Sequence, residues 1–204
     1  MRARIKVCGM KHNVAEVATL LPDYLGFIFY DKSPRNFEGE IPKIPSNIKK
    51  VGVFVNEKID SVIETATIHK LDIIQLHGEE SPEYCGELSD LTSNIEIWKV
   101  FSVGESFNYD LLKPYENVVN KFLFDTKGKN KGGNGVAFNW EILQKYPSKK
   151  PFILSGGIGL EEVDKIHTLM ESELPLYAID VNSKFEIGPG LKNSTELKQF
   201  INEL

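Results

Sequence analysis

One arrangement recurs eight times along the chain: a short run rich in β-branched or aromatic residues, a turn, then a longer stretch. The runs are RIKVCG (4–9), YLGFIFY (24–30), KKVGVFV (49–55), DIIQLHG (72–78), EIWKVF (96–101), KFLFDT (121–126), PFILSGG (151–157) and YAIDVN (177–182). They recur every ~20 to 30 residues, slightly tighter than the average strand–helix barrel repeat. Most of the segments between them have helical periodicity. HNVAEVATLL places Val14, Val17 and Leu20 or Leu21 on one face, and EKIDSVIETATIHK does the same with Ile59, Val62, Ile63 and Ala66. SPEYCGELSDL offers Ser81 as an N-cap and Pro82 at the first helical position. GLEEVDKIHTLM carries Val163 and Ile166 at helical spacing, and NSTELKQFINEL carries Leu197, Phe200 and Ile201.

Strands alternating with helices imply parallel βαβ units, and eight units imply an α/β (β/α)₈ TIM barrel. A doubly wound open sheet is the competing topology. It lacks support, because no GxGxxG follows the first run. With 204 residues and no visible linker, residues 1–204 are expected to form one domain.

Several function classes are disfavoured. A formal net charge of -5 argues against a nucleic-acid-binding surface. No apolar run approaches the ~20 residues that span a bilayer. The N-terminus lacks a signal-peptide core, so a cytoplasmic protein is expected. Two cysteines make no disulfide framework, and four scattered histidines offer no metal-ligand spacing, so no metal is expected.

In barrels of this type, functional groups sit where strands end. Strand alternation puts Ile5 and Val7 on one face and Lys6 and Cys8 on the other. The apolar pair belongs against the helices, which turns Cys8 into the barrel mouth. The same parity turns Asp125 inward if Leu123 faces the interior. A thiol and a carboxyl group across one opening form an acid/base pair, provided cations lower the thiol and the carboxyl is held up. SGGI (155–158) and VNSKFEIGPG (181–190) end strands seven and eight, where barrels often bind phosphate. Gly156 and Gly157 admit close backbone approach, and Asn182, Ser183 and Lys184 add donors. Arg35, in a Pro-containing loop after strand two, can grip a carboxylate with two N–H groups. GGNG (132–135) suits a flexible lid.

Taken in order, KVCGM, GFIFYDKSPR, VGVFVN, IIQLHGEE, FLFDT, GGNG, SGGI and DVNSKFEIGPGLKN resemble the phosphoribosylanthranilate isomerase family over essentially the whole chain. The resemblance implies a cofactor-free Amadori rearrangement of N-(5-phosphoribosyl)anthranilate to 1-(2-carboxyphenylamino)-1-deoxyribulose 5-phosphate in tryptophan biosynthesis. It implies Cys8 as general base and Asp125 as general acid. It implies Arg35 as partner of the substrate carboxylate, and the SGG and DVNSK loops as the phosphate grip. Asp180 would orient the substrate amine or pair with Lys6, and Gln75 and His77 would line the cavity. The only implied partner is the small-molecule substrate, in a monomer or homodimer. Two departures stand out. Asn134 replaces the family's usual threonine in GGTG, and Lys184 stands where SSGVE has glycine. A histidine-pathway isomerase performing the same rearrangement is one alternative, although that family has an aspartate where Cys8 stands. A non-catalytic phosphate-binding barrel is another.

Overall fold

The computed structural model describes residues 3–126 and 138–204. Eight parallel strands close into a barrel in chain order: β1 Ile5–Val7, β2 Tyr24–Phe29, β3 Lys49–Phe54, β4 Ile73–Leu76, β5 Glu96–Val103, β6 Lys121–Thr126, β7 Phe152–Leu154 and β8 Leu176–Val181. Closure sets β1 against β8, with Lys6 opposite Asp180. A small antiparallel pair, β9 Glu186–Gly188 and β10 Leu191–Lys192, follows β8.

The expected parity holds. Ile5, Val7, Phe122 and Phe124 pack in the core between barrel and helices. A second core fills the barrel interior with Tyr24, Val51, Ile73, Trp98, Val100, Leu123, Ile153 and Ala178, drawn from β2 through β8. Burying such side chains stabilises the fold by roughly 1.5–3 kcal/mol each. The first strand contributes Lys6 and Cys8 instead. Gly26 on the neighbouring β2 makes room for them: a Cβ there would come within 3.0 Å of the Cys8 sulfur. A larger residue there would crowd both Cys8 and Lys6, so the glycine suits an inward-facing thiol.

The outer layer is less regular than the sequence suggests. The described residues form five α-helices: α1 Val14–Ala18, α2 Ile59–His69, α3 Pro82–Leu91, α4 Val163–Met170 and α5 Ser194–Glu203. Ser81 caps α3 by accepting from the Tyr84 N–H at 3.3 Å, with Pro82 in the first turn. Val62 and Ala66, Val163 and Ile166, and Leu197 and Phe200 are buried as expected. At the end of α1 it is Leu20 that packs on the core, whereas Leu21 has φ 53° and is half exposed. Residues 30–48 form turns and extended chain, for Pro34, Pro42 and Pro45 each remove a helical N–H. Among the described residues, the connections after β5 and β6 contain 3-10 helices, Tyr109–Tyr115 and Trp140–Lys145. Pro114 sits inside the first, and Pro147 forces Tyr146 into an extended conformation at the end of the second. The proposed GGNG lid, Gly132 to Gly135 with Asn134, lies outside the described residues.

Candidate active site

The C-terminal ends of the strands border one cleft enclosing about 700 Å³, space open to solvent included. Cys8, Arg35, Gln75, His77, Asp125, Gly156, Gly157, Asp180, Asn182, Ser183 and Lys184 all line it. These residues come from the ends of β1, β4, β6, β7 and β8 and from the loop after β2, and barrel closure brings them together.

Cys8 continues the β1–β8 ladder one residue beyond the strand, its N–H donating to the Val181 carbonyl at 2.8 Å. Lys6, two residues earlier, is fully buried and donates from Nζ to Asp180 Oδ1 at 2.8 Å. Asp180 also accepts from the Ser155 hydroxyl at 3.2 Å. Of the two roles expected for Asp180, pairing with Lys6 is therefore present. Burial drags the Lys6 ammonium down, but Asp180 and Cys8 beside it outweigh that and hold it above its ordinary value. Burial pushes Asp180 up against the pull of Lys6, and the charge of Asp125 adds to the rise. Cys8 departs from expectation. Burial pushes the thiol up, and Asp180 pushes the same way. The opposing pull of Lys6 and Lys192 does not outweigh them. Burial thus disfavours the thiolate, which loses hydration that two partly neutralised cations do not replace.

Asp125, the last residue but one of β6, is buried and lines the same mouth as Cys8. Its Oδ1 accepts from the Thr126 N–H at 2.9 Å. Its Oδ2 lies 3.3 Å from His77 Nε2, close enough for an ion pair, yet that nitrogen makes no hydrogen bond. Gln75 Nε2 sits 3.4 Å from His77 Nδ1, and Gln75 Oε1 also lacks a protein partner. Buried polar atoms without partners are uncommon, and here two of them border the same cleft as Asp125. A polar ligand would satisfy them.

The glycines after β7 are needed for their backbone. Gly156 and Gly157 have φ of 92° and 67°. A Cβ on Gly156 would stand 2.8 Å from Asp125 Oδ1, so the turn lies directly against the carboxyl group.

Three charged groups at the mouth have partners that strand-by-strand analysis did not supply. Arg35 donates from Nε to both oxygens of Glu186, at 2.9 and 3.0 Å, and from Nη2 at 2.6 Å. Lys192 is buried and donates to Glu186 Oε1 at 2.8 Å and to Asn182 Oδ1 at 2.7 Å. Lys184 pairs at 2.8 Å with Glu161 on the surface. Deeper, Lys99 donates to Glu80 Oε2 at 3.0 Å and to the Gly78 carbonyl at 2.9 Å. Glu80 in turn accepts from the N–H groups of Asn56 and Gly78. This clip holds the backbone just after His77. Lys6 and Lys99 carried one available signal: a lysine within an apolar strand must have a buried partner. Glu186 and Lys192 lie in the stretch DVNSKFEIGPGLKN after strand eight, but nothing in its spacing indicated that they pair with each other or with Arg35. Among the described residues no group of three or more His, Cys, Asp or Glu side chains could hold a metal ion.

Comparison with known proteins gives consistent results. Residues 4–203 match the family model for N-(5'-phosphoribosyl)anthranilate (PRA) isomerase. The chain is 42% identical to the N-(5'-phosphoribosyl)anthranilate isomerase of Parabacteroides distasonis, covering 98% of this chain and 92% of that one. Its fold is similar to that of phosphoribosyl anthranilate isomerase from Thermus thermophilus, with a TM-score of 0.83 at 24% identity over 100% and 98% of the two chains. It is also similar to a phosphoribosyl anthranilate isomerase in complex with reduced 1-(o-carboxyphenylamino)-1-deoxyribulose 5-phosphate, with a TM-score of 0.77 at 27% identity over 98% and 97%.

Proposed function

We infer the role of each residue at the barrel mouth from one premise: the chain belongs to the N-(5'-phosphoribosyl)anthranilate isomerase family. It catalyses the aldose–ketose rearrangement of phosphoribosylanthranilate in tryptophan biosynthesis. The observation that carries the residue roles is the meeting of Cys8 and Asp125 in one cleft from opposite parts of the chain.

Asp125 acts as general acid. It gives a proton to the furanose ring oxygen as the C1–O bond breaks, and the anilino nitrogen lone pair forms the iminium. Cys8 acts as general base, removing the proton from C2. The electrons of that C–H bond neutralise the iminium, and the resulting enolamine tautomerises to the ketone. Hydrogen moves within one molecule, so the reaction calls for no redox cofactor. Because the resting thiol is held up by burial, the productive enzyme is the fraction in which sulfur has lost its proton. Lys6 and Lys192 favour that fraction.

The anchors lie on either side. Arg35 holds the anthranilate carboxylate. Gly156 and Gly157, with Asn182 and Ser183, hold the phosphate. Lys184 moves from Glu161 to join them, which costs little because that pair is at the surface. Gln75 and His77 contact the sugar hydroxyls. Residues 1–204 act as one domain in the cytoplasm. The chain works as a monomer or as a homodimer.

The test is loss of anthranilate fluorescence when purified protein meets its substrate. Turnover by the parent should fall by about 10²- to 10⁴-fold in kcat for Cys8→Ser, the range expected for an acid/base group. Alkylation of Cys8 should abolish activity, and bound substrate should protect against it. A near-parental rate for the serine variant overturns the assignment.

A further inference from the structure

Glu186 sits beneath both proposed anchors and takes no part in the chemistry assigned above. Its side chain is 5% exposed. It accepts from Arg35 Nε and Nη2, from Lys192 Nζ, and from the Gly190 N–H at 3.1 Å. Burial would push its carboxyl group up, but the Arg35 hydrogen bonds and the Lys192 charge hold it below the ordinary range. It is therefore a buried carboxylate whose charge is met from two sides.

The geometry of the arginine contact is informative. Glu186 occupies the side-on edge of the guanidinium, Nε with Nη2. A guanidinium has a second bidentate edge, Nη1 with the other Nη2 hydrogen, and no group among the described residues hydrogen-bonds to that end of Arg35, which can take another carboxylate. Glu186 therefore aims Arg35 without occupying the edge a substrate needs. On its other side Lys192 connects Glu186 to Asn182 Oδ1. Gly9 shows how closely the two branches meet. A Cβ on it would lie 2.6 Å from Asn182 Oδ1 and 2.8 Å from Arg35 Cδ, and its φ is 73°.

We propose that Glu186 is a positioning residue that fixes the carboxylate anchor, Arg35, and the phosphate anchor, Asn182 through Lys192, at a set separation. The proposal rests on the roles given above to Arg35 and Asn182. It makes the strand-eight loop a ruler for a substrate with a carboxylate at one end and a phosphate at the other.

The test is a double-mutant cycle of Glu186→Gln with Arg35→Ala. KM for phosphoribosylanthranilate and competitive inhibition by inorganic phosphate are read in each variant, and thermal unfolding checks folding. Glu186→Gln should raise KM about tenfold and change kcat less than threefold, as expected when ground-state and transition-state binding are lost together. It should also weaken phosphate inhibition. In the Arg35→Ala background the same substitution should raise KM less than about threefold, because coupled residues are not additive. If Glu186→Gln does not fold, Glu186→Asp, which keeps the charge but falls one methylene short, is measured the same way. Unchanged KM and unchanged phosphate inhibition overturn the proposal, as do effects that simply multiply. An Arg35→Ala variant with parental KM instead overturns the role of Arg35, and the phosphate arm then still tests the hold of Glu186 on Asn182.

Discussion

Replacing Asp180 with asparagine should weaken the fold and, at the same time, make Cys8 more acidic. The substitution keeps the shape and one acceptor oxygen, but removes the charge that pairs at 2.8 Å with fully buried Lys6. Removing one partner of a buried ion pair typically costs about 3–5 kcal/mol, because the other charge stays dehydrated and unpaired. The amide oxygen can still accept from Lys6, so the lower end, ~3 kcal/mol, is expected here. At ~2–4 °C per kcal/mol for a domain of this size, Tm should fall by about 6–12 °C. The effect on the thiol follows from sign. Asp180 pushes Cys8 up, and Lys6 pulls it down. With the carboxylate gone, Cys8 is the remaining acidic group beside the Lys6 ammonium, and forming the thiolate becomes the cheapest way to neutralise it. The assay is the rate of alkylation by iodoacetamide as a function of pH, with circular dichroism following unfolding. Cys85 is fully buried and serves as an internal control. The titration of Cys8 should move to lower pH while Tm falls. A Tm within about 2 °C of the parent would show that the Lys6–Asp180 pair contributes far less than a buried pair should. A Cys8 titration that stays put or moves alkaline would show that Lys6 gives up its own proton instead, and would refute the electrostatic argument.

Asp125→Asn retains an oxygen for the Thr126 N–H but carries no transferable proton, so kcat should fall by about 10²- to 10⁴-fold with the fold intact, measured by fluorescence turnover. Glu80→Gln strips Lys99 of its buried carboxylate partner and should destabilise by about 3–5 kcal/mol in urea unfolding. Adding Lys99→Met should recover much of that loss, since an apolar replacement of both partners is often neutral. Glu186 has a native value below its ordinary 4.5. Its contribution is therefore present in full above 4.5 and lost as pH falls through the native value. The acid-side slope of stability against pH, read from urea midpoints, should flatten in Glu186→Gln.

The identity of the strands, the inward parity of Cys8 and Asp125, and the gathering of the site at one end were legible in the amino-acid order. Each follows from a local rule: β-branched runs make strands, alternate residues face alternate sides, and parallel closure gathers the strand ends. The 3-10 connections, which contain Pro114 and end before Pro147, were not read from the amino-acid order. Which charges meet was decided only by tertiary structure. Lys6 and Asp180 are 174 residues apart in sequence, and Arg35 and Glu186 are 151 apart. No periodicity carries information over such separations. Closure of the barrel and the fold of the loop after β8 decide these pairings. The protonation of Cys8 belongs to the same class. A catalytic thiol required cations to lower it, yet whether they do turns on how much water the packed mouth excludes, a property of the assembled barrel and of no single strand.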